Sequence, residues 1–537
     1  MTNKNQNDEL RVARSALDMS PSEFRRLGHR LIDDIATFYE SFGERRLTRA
    51  AEPGDIRALL GTGELPETGA DAETLLAEVA PLLFDNSLHN GHPKFLGYIT
   101  SSAAPLGALA DLLASALNAN VGKWDLSPVA SEIETQAVRW LADFIGYERD
   151  CSGIMVSGGN MANILGFIAG RTAKAPWDLR AEGNYADERQ MTAYVSAETH
   201  TWVQKAVDIC GLGANSIRWI DTDEEGRMRV DLLREQIAND RDDGRLPFLV
   251  VATAGSVSTG VIDPVRELAE VCKAEDLWLH ADGAYGAPAA AVDVVPADLR
   301  SLHLADSVAL DPHKWLYCPL EAACTLTRDK NALSNAFAFY PEYYMLGGEK
   351  EEGINYYELG MQNSRGFRAL KVWLALRAAG REGYEDSIRG DIELAERLYE
   401  LADAHDEFEA CSVHLSITTF RFVPADMDHS ADNETYLNEL NQALVAEIQA
   451  GGELYVSNAV VNGRYLLRSC IVNFRTLQQD IDALPEQIAV LGRRIDARLR
   501  KGEPHEKMDK ETIDCDCRSV RCWPARARPG HQSYTRL

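Results

Sequence analysis

The run His280-Ala281-Asp282-Gly283-Ala284-Tyr285, followed further on by Asp311-Pro312-His313-Lys314-Trp315, decides how this chain folds. Each run follows a short apolar segment, Leu277-Trp278-Leu279 and Ser307-Val308-Ala309-Leu310, of the kind that suits a buried parallel strand. Open α/β sheets gather their ligands beyond the carboxyl ends of such strands, so Asp282 and Lys314 are expected at neighbouring strand ends. Taken singly, the lysine reads as a solvated side chain and the aspartate as a helix cap. The pair reads as a site.

A lysine beside a carboxylate is the arrangement that pyridoxal phosphate (PLP) requires. The amine forms an imine with the cofactor aldehyde, and the carboxylate holds the pyridine nitrogen protonated so that the ring can accept an electron pair.

Outward from these runs, short apolar strands alternate with helical stretches from about residue 135 to 375, which predicts a mostly parallel sheet covered on both faces. Residues 20–120 read as helices. Ser20-Pro21-Ser22-Glu23 offers a cap and a first-turn proline, and Leu106, Leu109, Leu112 and Leu113 keep helical spacing. A helix around residues 367–376 leads into Gly380, and the remainder to about 500 mixes helices with strand-like runs such as residues 416–422. The predicted organisation is a helical segment over 1–120, a catalytic domain over 121–380, a small C-terminal α+β domain over 381–500 and a disordered tail over 501–537.

At 537 residues and 45% hydrophobic content the chain can bury one or two cores. It carries no apolar run of membrane-spanning length and the stretch Thr2-Asn3-Lys4-Asn5-Gln6-Asn7-Asp8-Glu9 is polar, so no membrane association and a cytoplasmic location are expected. The formal charge of −28 opposes nucleic acid or anionic lipid as a partner. Most of the ten cysteines are scattered and read as reduced thiols. Cys515, Cys517 and Cys522 cluster in the arginine-containing tail, but no histidine or fourth cysteine completes a zinc spacing, and no metal is expected.

Ile154-Met155-Val156 precedes Ser157-Gly158-Gly159-Asn160 and a helical run, so glycine amides stand at a helix N-terminus. Such an end suits a phosphate, and it equally suits a tight strand-to-helix connection. His200 follows the strand candidate Thr192-Ala193-Tyr194-Val195 and alone reads as a polar loop residue.

With these residues in place, the chain resembles the PLP-dependent group II amino acid decarboxylases, the family of aromatic amino acid, glutamate and histidine decarboxylases. The resemblance begins near Ser22-Glu23-Phe24-Arg25-Arg26, runs through His92-Pro93-Lys94-Phe95 and residues 127–134, and passes Asn462-Gly463-Arg464-Tyr465 to about residue 500. It implies PLP fold type I, the aspartate aminotransferase-like α/β fold, and a homodimer in which the N-terminal segment packs across the two-fold axis.

Residue by residue, the resemblance implies that Lys314 carries the imine and Asp282 faces the pyridine nitrogen. Gly158, Gly159 and Asn160 would bind the phosphate with His313 nearby. His200 would stack on the ring and assist proton transfer, Ala284 would lie under the opposite face, and Thr253 would touch the ring. Tyr356, with Tyr357 as the adjacent register, would protonate the carbon left by carbon dioxide, from a glycine-rich loop around Gly347 to Gly353 that opens and closes. Asp311 and Asn160 depart from the animal aromatic enzymes, which have asparagine and serine there.

Tyr98 and Ile99 match a pocket segment near the substrate ring, and Trp315 resembles the aromatic branch. The function implied is decarboxylation of an aromatic L-amino acid (tyrosine, dopa, phenylalanine or tryptophan) to its amine. The alternatives are an acidic or aliphatic substrate (glutamate, aspartate, diaminobutyrate or valine), a PLP-dependent oxidative deaminase forming an aldehyde, an aminotransferase, or a non-catalytic binding protein on the same scaffold.

Overall fold

The protein is described here by a computed structural model covering residues 17–61, 63–339, 353–427 and 430–502. Helices Pro21–Glu40, Pro53–Leu60, Ala72–Asn86 and Pro105–Leu117 form the N-terminal part. The Ser20 side chain accepts the Glu23 N–H at 3.2 Å, the cap expected from Ser20-Pro21-Ser22-Glu23.

The chain carries strands β1 (Phe95–Leu96), β2 (Ser152–Val156), β3 (Met191–Ser196), β4 (Ile217–Ile220), β5 (Leu246–Thr253), β6 (Trp278–Asp282), β7 (Ser307–Leu310), β8 (Ala323–Thr327), β9 (Phe408–His414), β10 (Ile417–Phe422), β11 (Tyr455–Val461) and β12 (Arg464–Cys470). Seven of them form the large sheet in the order β2-β8-β7-β6-β5-β3-β4. Strands β7, β6, β5, β3 and β4 run parallel, and β8 lies antiparallel to both β7 and β2. The expected mostly parallel sheet is present.

Every residue of β3, β6, β7 and β8 is buried, which a sheet covered on both faces requires. Each Val or Leu taken into that core contributes about 1.5–3 kcal/mol.

The small sheet has the order β1-β11-β12-β10-β9 and is antiparallel except where β1 meets β11. Phe95 and Leu96 of the N-terminal segment thus serve as its edge, joining a region that the sequence treats as separate.

The helix expected to lead into Gly380 ends there. Within Ala369–Asp403 two helices meet at Gly380, whose φ of 66° and ψ of 177° leave the helical conformation and are open to glycine at little cost. Before Gly380 Leu370 and Val372 enter the large core, and beyond it Ala395 and Leu398 enter the small one, so the two helices joined at Gly380 link the cores.

Candidate active site

Parallel neighbours bring the site residues to one edge of the large sheet. Asp282 ends β6 beside Thr253, which ends β5, and Lys314 follows β7 by four positions. His200 follows β3, and β2 leads into Gly158. A cavity of about 440 Å³ opens there, lined by Gly158, Gly159, Asn160, His200, Thr253, Asp282, Ala284, His313 and Lys314 together with other residues. All nine were singled out in the sequence.

Asp282 is held from behind. Its Oδ2 accepts the indole N–H of Trp202 at 2.7 Å, and its Oδ1 accepts the Ala284 N–H at 3.2 Å. Two residues back on the same strand face, His280 bridges Ser307 Oγ and Asn163 Oδ1, each at 2.8 Å, and its ring meets Trp202 edge-on at 5.6 Å. Complete burial pushes His280 down to about 4, so the ring is a neutral strut. Sequence reading missed Trp202. Its spacing with Val203, Ala206 and Val207 marks a core face of helix Trp202–Ile209, and nothing local distinguishes its indole N–H.

The helix Gly159–Lys174 begins at Gly158 with no side-chain cap, and a side chain at Gly158 would meet open space. Its first-turn amides therefore face the cavity as free donors at the positive end of the helix dipole, which fits a phosphate. The strand before it is anchored by a buried ion pair. Arg365 Nη2 lies 2.6 Å from Glu134 Oε1 and also donates to the Met155 carbonyl, while Met155 N donates back to Glu134.

Lys314 sits on a turn closed by its own N–H donating to the Asp311 carbonyl at 2.8 Å. The next residue points the other way. Trp315 is fully buried, stacked on Tyr285 at 4.9 Å, and its indole donates to Asp391 Oδ2 at 2.9 Å, which Tyr317 also contacts at 2.7 Å. Trp315 therefore shapes the lysine turn and is not part of the cavity wall. Ser101 Oγ donates to the His313 carbonyl at 3.0 Å, tying the segment after Ile99 to the same turn.

His200 Nδ1 accepts the Trp202 N–H at 3.3 Å, which leaves Nε2 as the protonated nitrogen of the neutral ring. Surrounding protein lowers its pKa below the usual histidine value, partly offset by the charge of Asp282. Burial likewise lowers His313. Thr253 Oγ1 lies 3.4 Å from Thr199 Oγ1.

Tyr356 is a correction. The structure buries it away from the cavity, with its hydroxyl 3.0 Å from Thr135 Oγ1 and its ring 4.8 Å from the Arg365 guanidinium. Burial holds the phenol far above its ordinary pKa. Tyr356 lies on the short helical turn Tyr356–Glu358, which packs into the core. Tyr357 donates its N–H to the Gly122 carbonyl at 3.0 Å. Most of the expected glycine-rich loop, and the tail cysteines, lie outside the described residues. Tyr98 and Ile99 are not among the cavity-lining residues; the Tyr98 hydroxyl lies 3.1 Å from that of Tyr455.

Comparison with known proteins agrees with this geometry. The family model of the pyridoxal-dependent decarboxylase conserved domain matches residues 53–423. An aromatic-L-amino-acid decarboxylase of Bacillus atrophaeus is 34% identical over 483 residues, covering 88% of this chain and 98% of the relative. Tyrosine decarboxylase 4 of Petroselinum crispum is 30% identical, covering 87% and 95%. Among solved structures, Oryza sativa TDC with PLP and tryptamine superimposes with a TM-score of 0.82 at 25% identity, covering 90% of this chain and all of that one. With its lysine, carboxylate and open helix end gathered on one cavity, the chain belongs to the pyridoxal-dependent decarboxylase family, as an enzyme of fold type I whose cofactor is PLP.

Proposed function

We propose that the protein decarboxylates an aromatic L-amino acid to its amine and carbon dioxide. The observation that carries the reaction is the convergence of Lys314, Asp282 and His200 on one cavity above the uncapped helix end. Two further points support an aromatic substrate. The named relatives act on aromatic amino acids, and the cavity wall holds Glu198, Asp282, Asp311 and Glu321 with no arginine among its described residues. An acidic side chain would meet like charge there without a guanidinium partner.

When bound, PLP supplies an aldehyde that captures the substrate amine and a ring that takes up the electron pair of the breaking bond. In this reading Lys314 is the amine that holds the aldehyde between turnovers, and Asp282, oriented by Trp202, faces the pyridine nitrogen. The N–H groups of Gly158, Gly159 and Asn160 would hold the phosphate, with His313 on the same cavity. His200, Ala284 and Thr253, which line the same cavity, would hold the ring. The neutral imidazole suits stacking, and its Nε2–H is available to the substrate α carbon. With Tyr356 committed to Thr135, His200 and Lys314 are the proton carriers the cavity offers among the described residues.

A homodimer belongs to the same reading. Helix Pro105–Leu117 leaves Leu109, Leu112, Leu113 and Leu117 at 50–63% exposure, and Ala104 just before it donates to the carbonyl of Tyr317 on the lysine turn. A second copy covering that face would bury apolar surface beside the cavity, and Tyr98 and Ile99 would reach substrate across the interface. No helix among the described residues is long and apolar enough to cross a membrane. The seven described cysteines are unpaired, which supports a cytoplasmic location.

The test is incubation of the PLP-loaded protein with the twenty amino acids and dopa, with amines and aldehydes identified by mass spectrometry. Aromatic amines formed without oxygen uptake are expected. Aldehyde with oxygen consumption would replace this reading with the oxidative deaminase, and only aliphatic or acidic-substrate products would replace the substrate.

A further inference from the structure

Asp311 is a buried carboxylate that the roles above do not use. It is 1% exposed, and neither oxygen has a well-aligned hydrogen bond. Its charge contact is Lys314, whose Nζ lies 3.1 Å from Oδ2. The carboxylate also presses on the start of helix Gly159–Lys174, since a Cβ on Gly159 would stand 2.5 Å from Oδ2. One carboxylate thus contacts both the amine that must react and the helix end that must receive a phosphate.

An uncompensated buried carboxylate is costly, and an ammonium group is the partner that relieves the cost. Imine formation needs the opposite state, because only the neutral amine has a lone pair for the aldehyde carbon. The lysine gives one proton to solvent, its nitrogen bonds to that carbon, and water leaves. Asp311 opposes the first of these events.

The groups around the pair do not replace Lys314 in this role. His313, on the same turn, has Nε2 3.7 Å from Oδ2, and His200 approaches from the loop after β3; the pKa of each is lowered, chiefly by burial. Asp282 ends β6, Glu321 lines the cavity, and Cys324 on β8 is held as a thiol by burial. Lys371, from helix Ala369–Asp403, pairs with Asp111 at 3.1 Å.

We propose that Asp311 is a positioning residue for Lys314: it holds the lysine as an ammonium whenever the amine is not joined to the cofactor, and so sets the pH range in which the protein takes up the aldehyde. This rests on Lys314 being the imine lysine.

The experiment uses cofactor-free full-length protein mixed with PLP, or with pyridoxal, across a pH series. Adducts are trapped with borohydride and quantified by mass spectrometry at Lys314. Asp311→Asn has the same shape without the charge, and Asp311→Ala is the second variant. With both aldehydes the variants should form the adduct on a profile moved about one pH unit or more toward acid, so about tenfold faster on the acid limb. Pyridoxal has no phosphate, so a shift with PLP alone would mean that Asp311 acts on the phosphate, and would overturn the proposal. An unmoved profile with both aldehydes would overturn it too. Wild-type protein that traps no adduct at Lys314 would remove the site assignment on which the proposal stands.

Discussion

Trp202 donates its indole N–H to Asp282 Oδ2 at 2.7 Å, so the carboxylate that faces the cavity is aimed by a tryptophan that is itself fully buried. Phe167 and His280 meet the Trp202 ring edge-on, at 6.3 and 5.6 Å, which leaves the indole little freedom to turn. A carboxylate positioned in this way needs no reorganisation when charge develops on a ring beside it.

Trp202→Phe should therefore leave the protein folded but lower kcat about tenfold, because one fixed donor to Asp282 is lost. Steady-state rates together with a thermal melt separate this from unfolding. An unchanged kcat would mean that Trp202 only fills space.

Lys314→Ala should abolish turnover and the visible imine absorbance of the PLP-loaded protein. Asp282→Asn should keep PLP bound but slow decarboxylation by orders of magnitude, since an amide does not hold the pyridine nitrogen protonated. Absorption spectra and single-turnover rates check both. A surviving imine band in Lys314→Ala, or near wild-type turnover in Asp282→Asn, would dismantle the pairing.

Tyr356→Phe should not change the ratio of amine to aldehyde. The lost contact is the buried hydrogen bond to Thr135, so the expected effect is a destabilisation of about 1 kcal/mol, read from denaturant unfolding. Aldehyde formation with oxygen uptake in this variant would return Tyr356 to the proton-transfer step.

Asp391 gives a pH dependence with a definite sign. Burial raises its pKa to about 7, against the hydrogen bonds from Tyr317 and Trp315. In the unfolded chain the same carboxyl ionises near pH 4. The folded state therefore holds the extra proton between these values, and the contribution of Asp391 to stability declines as pH rises from about 4 to 7, with a slope on the order of 1 kcal/mol per pH unit. Asp391→Asn cannot ionise and should flatten that decline in unfolding measurements made at several pH values. Parallel curves for the two proteins would show that Asp391 does not titrate there.

Both strands that lead to Asp282 and Lys314 were legible because their signals are local. A short buried run followed by Asp282, and another followed by Lys314, requires only that each segment be a parallel strand, and β6 and β7 end within a few residues of the expected places. The cap at Ser20 and the open helix end at Gly158 are local for the same reason. Gly380 was legible in the same way, since a glycine with positive φ ends one helix there before the next begins.

Sequence by itself determined the sheet class and the strand-end pair, since backbone propensity and apolar spacing act between near neighbours, while His200, Thr253, Ala284 and His313 were reached through the family resemblance. Tertiary structure alone decided that Trp202 aims Asp282, that Asp391 grips the lysine turn, that Tyr356 points at Thr135, and that Asp311 meets Lys314 against a helix end. The first three join residues well separated along the chain, and the last depends on how one turn seats on a distant helix. Such contacts are set by which side chains share a buried volume, and by the cost of leaving a polar group there without a partner.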